Sequence, residues 1–158
     1  MARALDVPGF DCEETFSASA KRVVGVRAEE VFAHSAGVLD MDDIEPLHDM
    51  RVATRRLRAA LEVYAPCFPS KRHRKALKRV KKLADALGER RDRDVAIEFL
   101  TRFADEAPEA DRAAIAALVE RLRREQRQAN EELAPFLAAK RLKKLRRRLR
   151  KLVKAAAS

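Results

Sequence analysis

Between Leu47 and Leu87, two stretches each carry a cationic and an apolar face at helical spacing, which leaves few ways to fold the rest. At 100° per residue, the first stretch, 47–64, gathers His48, Arg51, Arg55 and Arg58 into one arc of roughly 80°. Met50, Ala53, Leu57, Ala60, Leu61 and Tyr64 fall on the other side. The second stretch, 71–87, repeats the pattern, with Lys71, Lys75, Lys78 and Lys82 in a stripe and Leu77, Val80, Leu83 and Leu87 behind it. Pro66 and Pro69 mark the turn between them. Two helices that bury their apolar faces across such a turn lie side by side, about 8–10 Å apart, with both basic ladders outward. A polyanion is the ligand class that suits them.

Composition supports helices throughout. Four Gly and six Pro in 158 residues, with seven Phe, one Tyr and no Trp, leave a chain of Ala, Leu, Glu, Lys and Arg. No run alternates with period two, so the expected fold is all-α, a single bundle of about five to six helices. The net charge of +10 is unevenly spread. Residues 1–46 hold four basic and ten acidic groups, 47–92 fourteen and five, 93–133 seven and ten, and 134–158 ten and none. Two basic blocks brought together by folding make a focused field that attracts polyanions and weakens with salt.

Cys12 and Cys67 stand alone, without a second Cys or His at ligand spacing, so they read as idle thiols and no metal or cofactor is expected. The acidic start, with Asp6, Asp11, Glu13 and Glu14, lacks the pattern of a signal peptide, and no window approaches a membrane span. The expected location is cytoplasmic.

In chain order, residues 1–12 read as a flexible arm, 13–154 as one helical domain and 155–158 as a tail. A helix is expected over 13–39, followed by the acidic connection 40–46, whose carboxylates sit before the basic helix and can satisfy its first N–H groups. Leu87-Gly88 reads as a helix stop, and Asp92 or Asp94 as the cap of a new helix over 94–106 that buries Val95, Phe99, Leu100 and Phe103. Beside Arg90, Arg91 and Arg93, these two aspartates read as capping and ion-pair groups rather than a magnesium site. Pro108 separates a helix over 109–133, and Pro135 precedes a basic helix with Ala138, Leu142, Leu145, Leu149 and Leu152 on one side. That last helix has three readings: packing into its own domain, where it can add its charge to the polyanion surface, a solvated tail, or contact with an anionic membrane, an acidic partner groove being a further way to use its amphipathic face.

The string His48-Asp-Met-Arg-Val-Ala-Thr-Arg-Arg-Leu-Arg58 resembles the signature of the CHAD family, the conserved histidine α-helical domain. The resemblance continues through Tyr64-Ala-Pro66, Leu77-Lys-Arg-Val-Lys-Lys-Leu83 and Leu87-Gly88, then Arg91-Asp92-Arg93-Asp94-Val95, and so covers about 44–100. It implies an all-helical domain of two similar halves, each a bundle of about four helices, that binds inorganic polyphosphate without catalytic machinery, in some members at polyphosphate granules. By position it implies His48, Arg51, Arg55 and Arg58 on the first ladder and Lys75, Lys78, Arg79, Lys82 and Arg91 beyond it, with Arg56 turned about 80° from His48. The second His/Arg helix of a complete domain is missing from these 158 residues, which look like the N-terminal half. Twofold pairing is the simplest way to cover the apolar face thus left open, so a homodimer is expected, a truncated or split product being the alternative.

Polyphosphate is a flexible chain of charges and needs many moderate contacts. Lys and Arg once per turn, about 5.4 Å apart, supply them, and counterion release drives the association. Two alternatives share the same charges. Nucleic-acid binding is disfavoured because the ladders lack interleaved aromatics and base-reading Asn or Gln. A histidine phosphotransfer bundle would use His48 as the phosphorylated group, against its other readings as a polyanion contact or a helix-terminal hydrogen-bonding residue. His34 and His73 read as packing or surface residues. No Gly-rich phosphate loop or nucleophile constellation is evident, so no enzyme activity is expected.

Overall fold

A computed structural model of the chain describes residues 4–9, 11 and 13–156. Five α-helices follow one another: α1 (Phe16–Ala33), α2 (Glu45–Val63), α3 (Ser70–Glu106), α4 (Glu109–Leu137) and α5 (Ala139–Lys154). A short 3₁₀ turn, Ala65–Cys67, joins α2 to α3 where the two prolines were expected to reverse the chain. The described residues contain no strand, so the fold is all-α. No helix among them is long and apolar enough to cross a membrane.

The core forms where the apolar stripes meet. Leu47, Met50, Ala53, Leu57 and Leu61 of α2 are fully buried, against Ala20, Val24, Ala28 and Val31 of α1 on one side and Ala76, Val80, Leu83 and Leu87 of α3 on the other. α5 closes the bundle by laying Leu145, Leu149 and Leu152 against α1, α3 and α4. Of its three sequence readings, packing into its own domain is the one observed. Cys67 is buried, and Cys12 lies outside the described residues. Residues 4–9 run along α1, where Arg27 donates to the Leu5 carbonyl (3.0 Å) and Arg22 to that of Pro8 (2.9 Å).

Four elements depart from the sequence expectation, one being α4, which runs on through Pro135 to Leu137 rather than ending at 133. α1 stops at Ala33 rather than 39, because the chain reverses through Gly37 at φ +73° and buries Val38 from the loop rather than from a helical turn. The Leu87-Gly88 stop does not exist. A glycine that ends a helix adopts positive φ, and Gly88 does not; it sits inside the 37-residue α3 with strong helix formers on both sides. Glu89–Arg93 and Arg90–Asp94 pairs at i, i+4 bridge the turn that follows, so Asp92 and Asp94 cap nothing.

The last departure concerns Val95, Phe99 and Phe103, which are 47, 63 and 48 % exposed rather than buried. At 1.5 Å per residue, α3 is about 55 Å long against about 28 Å for α2. Beyond Asp94, α3 holds no buried residue, and there its partner is α4, whose own first turns are mostly exposed. Two helices packed only on each other shield one face apiece in part and leave the rest to solvent. The stacked Phe99 and Phe103 rings (6.2 Å) are left outside, and Leu118 of α4 is exposed as well.

A Cβ built on Gly88 meets nothing within 4 Å. Gly88→Ala is therefore expected to stabilise the fold by about 1 kcal/mol, raising Tm by roughly 2–4 °C. A lower melting temperature would show that the chain needs a glycine break there.

Candidate polyanion-binding surface

Two links set the relation of α2 to α3. The last carbonyls of a helix have no partner of their own, and buried His73 near the start of α3 donates from Nε2 to the Leu61 carbonyl of α2 (2.7 Å), its ring stacked on Phe68. His73 is thus a packing residue, as its place in the sequence suggested. At the other end, Arg90 is fully buried and donates to Asp94, which also accepts from Gln126 of α4 (2.7 Å). Arg90 reaches back to the Asp40 carbonyl (3.4 Å), and Asn130 of α4 donates to that of Leu39 (3.0 Å). Burial, and then the charge of Arg91 beside it, lower the Arg90 pKa from the ordinary arginine value. Asp94 is an ion-pair group, one of its two expected roles.

Between these links the ladders face solvent. His48, Arg51 and Arg58 are half-buried along α2 and Arg55 is exposed; Lys71, Lys75, Lys78, Arg79 and Lys82 of α3 are all exposed. Glu62 closes the seam between the helices, 3.2 Å from Arg58 and 3.0 Å from Lys81. Hydrogen bonds from Lys81 and then Arg58 hold its carboxyl below the ordinary range. That carboxylate shows that the two basic faces adjoin, and it commits Arg58 to a partner within the protein. Among the described residues, no carboxylate pairs with Arg51, Arg55, Lys71, Lys75, Lys78, Arg79 or Lys82. Arg91 lies one residue past the buried Arg90, half-buried, with one guanidinium nitrogen lacking a protein partner.

The acidic connection ends the positive track. Asp43 accepts from the Glu45 amide at the first residue of α2 (3.1 Å), as expected of a carboxylate before a helix. Asp40 accepts from the amides of Asp42 and Asp43, which hold its carboxyl below the ordinary range.

α5 was the part that sequence order could not place. Its Arg146 and Arg150 pair with Glu29 of α1, and Arg146 also lies over the Phe32 ring (5.5 Å). The open groove on this side, about 1340 Å³, has Phe32, Leu142 and Leu149 in its walls and Glu29 among its charges. On its other side, Arg148 of α5 shares a second groove with Arg72 and Lys75 of α3, and Arg147 and Lys151 border both grooves. A signal for that second basic flank was present, since Arg72, Lys75 and Arg79 recur at i, i+3, i+7. No group of side chains suited to a metal ion occurs among the described residues.

Burial pushes the Glu29 carboxyl up, but the hydrogen bonds and charges of Arg146 and Arg150 outweigh it and leave the pKa below the ordinary range. The anchor is therefore complete at neutral pH and is lost as pH falls through that range and below it. Acidification should speed amide hydrogen exchange in α5, and Glu29→Gln should show the faster exchange already at pH 7. Equal α5 exchange in wild type and Glu29→Gln at both pH values would contradict this anchor.

Against known families, the model described as CHAD domain matches residues 23–158. No curated protein and no solved structure matches the chain.

Proposed function

Because this chain belongs to the CHAD domain family, we propose that it binds inorganic polyphosphate along the basic surface of α2 and α3, as a binding module and not an enzyme. The observation that carries the reading is the row of cations on adjoining helices without internal carboxylate partners. Such a row offers a flexible chain one cation per turn from each helix, with Arg51 and Arg55 able to fork onto two oxygens and the lysines acting as mobile point charges. The family link favours polyphosphate over nucleic acid, and the location in the cell that goes with this reading is at polyphosphate granules. In this reading His48 contacts the anion at the acidic end of the track.

Long-chain polyphosphate titrated at moderate salt should bind wild type and lose about tenfold or more in affinity to Arg51→Glu/Arg55→Glu or Lys78→Glu/Lys82→Glu. Unchanged affinity in both variants would place the ligand elsewhere. DNA or RNA at equal phosphate concentration should compete poorly; efficient displacement would favour the nucleic-acid reading.

The exposed row Val95, Phe99 and Phe103 supports a second part of the proposal, a homodimer in which a second copy covers this face. Light scattering should then give twice the 17.9 kDa chain mass, falling to one chain in Phe99→Asp/Phe103→Asp. A monomer in both samples would remove the dimer.

A further inference from the structure

Two grooves flank α5, and Lys144, Arg147, Lys151 and Lys154 stand on the ridge between them, while Arg148 lines only the α3-side groove. Arg146 and Arg150 are answered by Glu29 on the α1 side. On the α3 side, Arg72, Lys75, Lys144, Arg147, Arg148 and Lys151 line a concave groove of about 590 Å³ floored by Leu152 and Ala155, and no carboxylate lines it. That volume lies within the range of ligand clefts. The crowding has a physical mark: burial first, and then the charges of Arg79 and Arg147, lower the Arg148 pKa from its ordinary value. Like charges gathered in a cleft raise each other's free energy until an anion neutralises them.

This groove is not the α2–α3 face. It lies on the opposite flank of α3 from Lys81, which reaches Glu62 of α2, and among the residues implied by the family signature only Lys75 lines it. Lys144 to Lys151 is seven rises of the helix, about 10 Å, too long for one orthophosphate and suited to a few linked ones. We propose that the α3–α5 groove is a separate subsite that takes a short condensed phosphate by itself, a longer chain continuing from it across Lys75 and Lys78 to the α2 ladder. The ligand class rests on the polyphosphate reading; the subsite and its length selectivity go beyond it. A chain that occupies both places gains from the high effective concentration of its second segment.

The test uses calorimetry on the full chain with two probes, tripolyphosphate and long-chain polyphosphate. Arg72→Glu/Arg148→Glu alters two cations that line this groove and not the α1-side one, Arg72→Gln/Arg148→Gln removes the same charges more mildly, and Arg51→Glu/Arg55→Glu alters the α2 ladder. Circular dichroism checks that each stays folded. Wild type should bind one tripolyphosphate, weakened about tenfold or more by the groove reversal, less by the glutamine pair, and within about twofold of wild type in the ladder variant. Long-chain binding should weaken in both charge-reversal variants. Tripolyphosphate binding that the groove variants leave intact, or that the ladder variant weakens equally, overturns the subsite, as does its failure to bind wild type. If the ladder variant leaves long-chain binding untouched while the groove variant removes both ligands, the subsite stands and the α2–α3 reading falls.

Discussion

The apolar undersides of α2, α3 and α5 cannot enter the core together with the cations that alternate with them, because a buried charge without a partner costs far more than its side chain gains by packing. Along α2, α5 and the first half of α3, the turns therefore split into a Leu, Val or Ala that goes inward and a Lys or Arg that stays out. Once Leu57, Val80 and Leu149 are buried in one core, the basic faces of three helices are committed to the same exterior. Among the described residues, the one deeply buried arginine or lysine, Arg90, is the exception that fits the rule, since Asp94 sits beside it.

α3 is the shared wall of this exterior. His73 locks its first turns to the end of α2, while Arg90, Asp94 and Gln126 hold its middle to α4 and to the acidic connection. With both points fixed, the lysines between them cannot turn away from the α2 ladder. On the other flank, Glu29 draws α5 onto α1 through two arginines, and Arg148 lies toward α3 with Lys144, Arg147 and Lys151 on the ridge beside it. The acidic connection at residues 40–46 and the paired Glu62 confine the positive surface.

Most of this was legible from spacing. The two ladders, their apolar backs, the prolines at the turn and the acidic residues before α2 are local patterns, and local patterns survive folding. What could not be read depends on neighbours. Gly88 resembles a stop until one sees that ion pairs span the following turn. Val95, Phe99 and Phe103 have the periodicity of a core stripe, but periodicity cannot say whether a helix lies opposite to bury it. Asp94 was expected to cap or to pair, and only the position of Arg90 one turn earlier within the same continuous helix decides for pairing. The packing of α5 rests on contacts between residues more than a hundred apart, such as Glu29 with Arg146.

That the unanswered cations act as one surface is best tested by the salt dependence of long-chain polyphosphate binding. Six or more cations engaged at once require log K to fall with log salt at a slope of about −4 or steeper, by analogy with single-stranded nucleic acids. A slope shallower than about −1 would mean that one or two groups hold the ligand, and the collective surface described above would not exist.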